Sequence, residues 1–247
     1  LHSCIGLNDN HSMTLDFSDR HVVVTGGTGA LGAAVVELLI DAGATVHIPA
    51  HRAPDPAKFA LSRHERVKVV APVDLTSEEA VQKFYEAVPS VWASVHTAGG
   101  FAGGAIAQTS LADFRAMMET NAITAFLCCR EAVRKMRSGA GNPGGRIVNV
   151  ASKVAVIPTA GVAAYAASKA AVTSLTVGLG EELKAERIWV NAVVPSTMDT
   201  PANRQAMPKA DFAKWPKVSE VAATIAFLAS PQNLVTSGAL VAAYGQS

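Results

Sequence analysis

Cysteine is scarce in this sequence: three in 247 residues, two of them adjacent as Cys128 and Cys129. So few, so placed, build neither a disulfide framework nor a spaced zinc set, and no metal site is predicted. Such usage fits the reducing cytosol, and a cytoplasmic location is predicted. Charge is also thin. Charged residues make up 17%, and 21 Lys and Arg against 20 Asp and Glu leave a net charge of +1. A nucleic-acid binder carries a basic excess on one face, so nucleic acid is excluded as a predicted partner. Long apolar runs are missing as well. The charge-free apolar stretch at residues 154–168 falls short of the ~20 residues a membrane span needs and contains Pro158 and Gly161, so no membrane partner is predicted. Residues 1–12 lack a basic segment followed by an apolar one, which excludes a secretory signal. They read as a leader appended ahead of Met13.

What is abundant is apolar surface, at 49% of residues. That much can offset the entropy of ordering the chain, so disorder is excluded as the main state. Short β-rich runs at 21–25, 45–48, 66–70, 91–97, 146–150, 188–194 and 239–242 alternate with helical patterns. A helix over 31–41 stops at Gly43, a residue suited to the position after a helix end. Thr76-Ser77-Glu78-Glu79 reads as a capping box that opens a helix through Tyr85 to Val88. Further helices begin at Ser110, span 163–183, and span 219–229. Continuously apolar strands are buried on both faces, which means a parallel sheet between helices. Residues 13–247 are therefore predicted to form a single doubly wound, Rossmann-like α/β domain, both dinucleotide-binding and catalytic. Such a sheet places its ligand at the carboxyl ends of its strands.

The first strand runs into Thr25-Gly26-Gly27-Thr28-Gly29-Ala30-Leu31-Gly32 and then a helix. Small residues let the backbone approach a pyrophosphate, and the helix start adds free N–H groups with partial positive charge. Gly26, Thr28, Ala30, Leu31 and Gly32 are the candidate phosphate-loop residues. This loop resembles that of the short-chain dehydrogenase/reductase family, T-G-x-x-x-[AG]-x-G, on Thr25, Gly26, Ala30 and Gly32. At the end of the second strand the resemblance places Ala50 about where an NAD-type Asp would stand. With that acid missing and His51 and Arg52 beside it, NADP(H) is favoured over NAD(H), the alternative being that Arg52 is only a solvated loop charge. Asp74 and Leu75 match the family's adenine-edge position, although Asp74 could equally be a cap. After the fourth strand comes His96-Thr97-Ala98-Gly99-Gly100. Ala98 and Gly99 match the family's cofactor-contacting residues, whereas His96 and Thr97 replace two asparagines.

Tyr165 and Lys169 stand four residues apart, on one face of a helix. An ordinary phenol is a poor acid at neutral pH, and a neighbouring cation lowers its pKa. Tyr165 is thereby suited to exchange a proton with a carbonyl or alcohol oxygen. The family resemblance adds Ser152, thirteen positions before Tyr165, to hold the substrate oxygen. It adds Asn121 to hold a relay water behind the lysine. It also has Lys169 grip the nicotinamide ribose, and puts Met198 and Thr200 where the family closes over the carboxamide. The activity implied is hydride transfer between nicotinamide and a small carbonyl or alcohol substrate.

The segment from Ala98 to Gly104, and the tail pattern that includes Trp215, resemble the dihydropteridine reductase branch of the superfamily. Quinonoid dihydropterin reduction is therefore an alternative. Phe101 and Trp215 are candidates to flank a flat substrate ring. A catalytically silent NAD(P)-sensing regulator is an alternative of another class, opposed by the intact Ser152, Tyr165 and Lys169. The resemblance further implies a homodimer or homotetramer, packed through the helix that carries Tyr165.

Overall fold

Seven parallel strands build one sheet in the computed structural model, which describes residues 15–139, 144–157 and 159–247. They are β1 (His21–Thr25), β2 (Thr45–Pro49), β3 (Val67–Val70), β4 (Ala93–His96), β5 (Gly145–Val150), β6 (Ile188–Pro195) and β7 (Leu240–Ala243). Their spatial order is β3-β2-β1-β4-β5-β6-β7. The helices are α1 (Ala30–Asp41), α2 (Glu78–Ala87), α3 (Leu111–Met117), α4 (Thr124–Arg137), α5 (Ala163–Glu182), α6 (Pro201–Ala206) and α7 (Val218–Ala229). The doubly wound reading holds. Residues 1–12 and Pro158 lie outside the described residues.

Side chains alternate across the strands, and each face finds its own helices. Val22 and Val24 pack with Val35 and Leu39 of α1 and Ile225 of α7. Val23, Ile147 and Val190 pack the other way, with Phe84 of α2 and Leu127 and Val133 of α4. Burial on both faces is why these strands read as unbroken apolar runs. β7 differs: as an edge strand it leaves Leu240 exposed.

Two local expectations need correction. The cap of α2 is Ser77, whose hydroxyl accepts from the Ala80 N–H at 3.3 Å, one residue later than the capping box read from Thr76. Thr76 is instead drawn away by Asp74, whose carboxylate accepts both its N–H and its hydroxyl. A reciprocal capping box does occur at Ser110, with Asp113. The helix that opens there is also not regular. Between α3 and α4 it widens into a π-helical turn over Met118–Ile123, with Asn121 inside it. Such widened turns recur at functional sites.

Candidate active site

Strand order reverses between β1 and β4, and the carboxyl ends open there into a groove of about 420 Å³. Gly26, Thr28, His51, Asp74, Leu75, Ala98 and Gly99 line it, as do Ala50 and Thr120. Gly26 takes a left-handed φ of +67°, and a Cβ there would lie 2.7 Å from the Ala98 nitrogen. Gly32 packs the helix start under the loop, since its Cβ would meet the Gly26 carbonyl at 2.2 Å. Threonines staple the floor: Thr97 Oγ1 donates to the Thr25 carbonyl at 2.7 Å, and Ala98 N–H donates to Thr25 Oγ1 at 3.3 Å.

The loop tip, Thr28 to Ala30, is exposed, whereas Leu31 is buried in the core. Gly29 brings no capping side chain to α1, and no acid stands in the first turn. The starting N–H groups therefore keep their electrostatic preference for an anion. Ala50, at the end of β2, puts no carboxylate into the groove. Arg52 is exposed and lies outside the groove lining. Hydrogen bonds from the Thr76 backbone and hydroxyl hold Asp74 below the usual carboxylate value, with His51 adding to the effect. This donor-rich, glycine-walled groove fits a dinucleotide.

Beyond the groove, β5 and α5 converge. Ser152 stands two residues past β5 in extended backbone, with φ −161° and ψ 150°. Its hydroxyl stands close enough to the Tyr165 phenol to draw the phenol's pKa down. Lys169, only 6% exposed, donates from Nζ to the Val150 carbonyl at 2.9 Å. Burial pushes its pKa down to about 8. The groove and this pair meet at Gly99, where a Cβ would come 2.6 Å from Asn121 Oδ1 and 3.2 Å from Lys169 Nζ.

The phenol does not behave as the sequence implied. Burial pushes Tyr165 above its ordinary value, and the nearby Ser152 hydroxyl only partly opposes this. Lys169, whose Nζ donates to the Val150 carbonyl, does not reverse the balance. Asn121 is 1% exposed and equally committed. Its Nδ2 donates to the Gly100 carbonyl at 3.0 Å and to Ser168 Oγ at 3.1 Å, while Oδ1 accepts from Gly100 N–H at 3.0 Å.

Of the two aromatic candidates, Phe101 reaches the site. Its ring meets Tyr165 edge-on at 5.0 Å and stays 68% exposed. The loop behind it is tied down by Gly104 N–H donating to the Gly161 carbonyl at 2.8 Å. Trp215 packs instead on Phe212, with ring centroids 5.0 Å apart. Thr200 serves as the cap of α6, accepting from Asn203 N–H, and the Met198 carbonyl accepts from Asn203 Nδ2. Ser196 adopts no left-handed φ and donates its hydroxyl to the Tyr244 carbonyl at 2.9 Å.

The family model described as short chain dehydrogenase matches residues 20–211. This chain belongs to the short-chain dehydrogenase family. It is accordingly an enzyme, an oxidoreductase. Among curated relatives, the cis-4-hydroxycyclohexanecarboxylate dehydrogenase of Sinomonas cyclohexanicum is 33% identical over 244 residues, covering 93% of this chain and 96% of its own. Carbonyl reductase family member 4 of Danio rerio is 29% identical, covering 85% of this chain and 90% of its own. Among solved structures, a short-chain type dehydrogenase/reductase from Mycobacterium ulcerans superposes with TM-score 0.84 at 27% identity, covering 94% of this chain and 90% of its own. An ElxO variant solved with NADPH bound shares the fold, with TM-score 0.82 at 24% identity over 92% of this short-chain dehydrogenase and 97% of its own chain.

Proposed function

We propose that the protein interconverts a small carbonyl compound and its alcohol with a nicotinamide cofactor, with Tyr165 as the proton donor and acceptor. The observation that carries this reading is the hydroxyl pair. The Tyr165 phenol is half-buried beside Ser152, with Lys169 one helical turn on. Two hydroxyls converging on one point can bind one substrate oxygen, Ser152 by hydrogen bonding and Tyr165 by proton transfer. The glycine-walled groove would hold the cofactor, with Gly26, Ala98 and Gly99 against its backbone side and Asp74 and Leu75 toward the adenine. The bound cofactor supplies or takes up the hydride. Lys169, beside Gly99, would reach its ribose. The Asn121 amide is already committed to Gly100 and Ser168, so a relay water behind Lys169 would rest on the Asn121 main-chain carbonyl.

NADP(H) is the favoured cofactor, because Ala50 offers no carboxylate to a ribose 2′-hydroxyl or against a 2′-phosphate. A structural neighbour solved with NADPH is in keeping with this. Phe101, exposed and edge-on to Tyr165, would form one wall of the substrate site. Trp215 packs on Phe212, so Phe101 carries more of the substrate reading than it does, while Met198 and Thr200 would close over the cofactor's carboxamide. The free, buried Cys128 and Cys129 suit a cytoplasmic setting. The exposed Phe126 and Val177 of α4 and α5 suit a homodimer or homotetramer packed through those helices.

The test is cofactor consumption across small ketones, quinones and quinonoid dihydropterins, with NADPH and NADH in parallel and Arg52→Ala alongside. A ketone turned over with NADPH preferred is the expected result. Arg52→Ala should then raise the KM for NADPH and leave that for NADH unchanged. Turnover of dihydropterins alone, unaffected by Ser152→Ala, would replace this reading with the pterin reductase.

A further inference from the structure

A buried polar chain runs beneath the site through residues to which the reaction gives no role. Tyr85 of α2, Ser94 and His96 of β4, Asn149 of β5 and Thr176 of α5 are all fully or almost fully buried. Tyr85 Oη lies 2.7 Å from Ser94 Oγ, and Ser94 Oγ lies 2.8 Å from His96 Nε2. His96 Nδ1 lies 2.8 Å from Asn149 Oδ1, and Asn149 Nδ2 lies 2.9 Å from Thr176 Oγ1. Thr176 Oγ1 in turn donates to the Val172 carbonyl at 2.8 Å.

One end of this chain fixes every proton in it. Thr176 has a single hydroxyl proton, spent on the Val172 carbonyl, so its oxygen must accept from Asn149. The Asn149 amide is thereby oriented with Oδ1 toward His96 and the Cys129 thiol, which also donates to it at 3.5 Å. His96 must then carry its proton on Nδ1 and leave Nε2 bare to accept from Ser94, and Ser94 accepts from Tyr85. Burial holds His96 neutral at physiological pH, its pKa lowered to about 4, in agreement with that assignment. Such a chain has one low-energy arrangement, and the low dielectric around it makes any unpaired member costly.

Its place in the fold gives it a consequence. Thr176 lies two helical turns after Lys169 on α5. Asn149 directly precedes Val150, whose carbonyl receives Lys169 Nζ. α5 is therefore joined to β5 by two polar contacts in line, Lys169 to Val150 and Asn149 to Thr176. Two contacts set both the height and the rotation of a helix on a strand; one leaves it a pivot. We propose that Asn149 and Thr176, aligned by His96, are positioning residues that seat α5 so that Lys169 and Tyr165 face Ser152. This rests on the carbonyl-reducing reading for its catalytic consequence and on the structure alone for its mechanical one.

The test compares Thr176→Val, which keeps the shape and removes the hydroxyl, with Thr176→Ser, which restores it. In the full protein, well below the variant's Tm, Thr176→Val should lower kcat by about ten- to a hundredfold with the KM of the carbonyl substrate unchanged. Thr176→Ser should return kcat to the wild-type value. Hydrogen exchange should speed up about tenfold in residues 163–170 and not in α7. Wild-type kcat in Thr176→Val, accompanied only by a lower Tm, would reduce the chain to a structural role and overturn the proposal. If wild-type protein turns over no carbonyl, the functional reading fails by itself and the exchange comparison decides the positioning claim. Faster exchange confined to 163–170 supports it, and unchanged exchange there overturns it.

Discussion

Two opposing influences act on the Tyr165 phenol: burial raises its pKa, and the Ser152 hydroxyl lowers it, with burial the larger. The sign of that balance has a kinetic consequence. Carbonyl reduction needs the phenol protonated, and alcohol oxidation needs the phenolate. Because kcat/KM for the carbonyl or alcohol reports the enzyme before that substrate binds, reduction should stay level through neutral pH and fall only in the alkaline range, while oxidation rises over that same range. Profiles of kcat/KM in both directions check this; a reductive limb falling near pH 7 would show that the free phenol is already lowered. The Tyr165–Lys169 spacing was legible because a four-residue step puts both on one helix face. The commitment of Lys169 to the Val150 carbonyl was not, because that partner is a main-chain atom with no mark in the sequence.

Among the elements, the β1–α1 turn shows how close packing makes a binding surface. Gly26 and Gly32 let the loop fold back on itself and against the Thr97–Ala98 backbone. Gly32→Ala would force a methyl to within 2.2 Å of the Gly26 carbonyl, so the loop must move. The variant should bind NADPH at least ~10-fold more weakly, equivalent to about 1.4 kcal/mol, while keeping its far-UV circular dichroism. Titration by cofactor fluorescence checks it, and wild-type affinity would mean the loop does not touch the cofactor. The strands and this turn were readable because apolar runs and glycine punctuation report local backbone needs. The π-helical turn around Asn121 was not, since Met118–Ile123 carries no glycine, proline or cap to announce it. The cap of α2 shifted from Thr76 to Ser77 because Asp74, two residues upstream, competes for Thr76.

The whole molecule places its chemistry where the sheet order reverses. The groove between β1 and β4 reaches Lys169 and Asn121 at Gly99, one helical turn of α5 from Tyr165. Phe101 was legible as a loop aromatic, but its edge-on contact with Tyr165 depends on a tertiary tie at Gly161. If groove and hydroxyl pair are separate parts of one site, binding and chemistry can be lost separately. The most direct measurement is therefore the Tyr165→Phe variant, assayed for turnover and for NADPH-induced thermal stabilisation in the same preparation. kcat should fall by about 10²–10⁴-fold, the usual share of a general acid. Stabilisation by NADPH should stay at the wild-type level, about 2.7 kcal/mol at a hundred times Kd. A variant that keeps its kcat would contradict the assignment of Tyr165 as the proton donor.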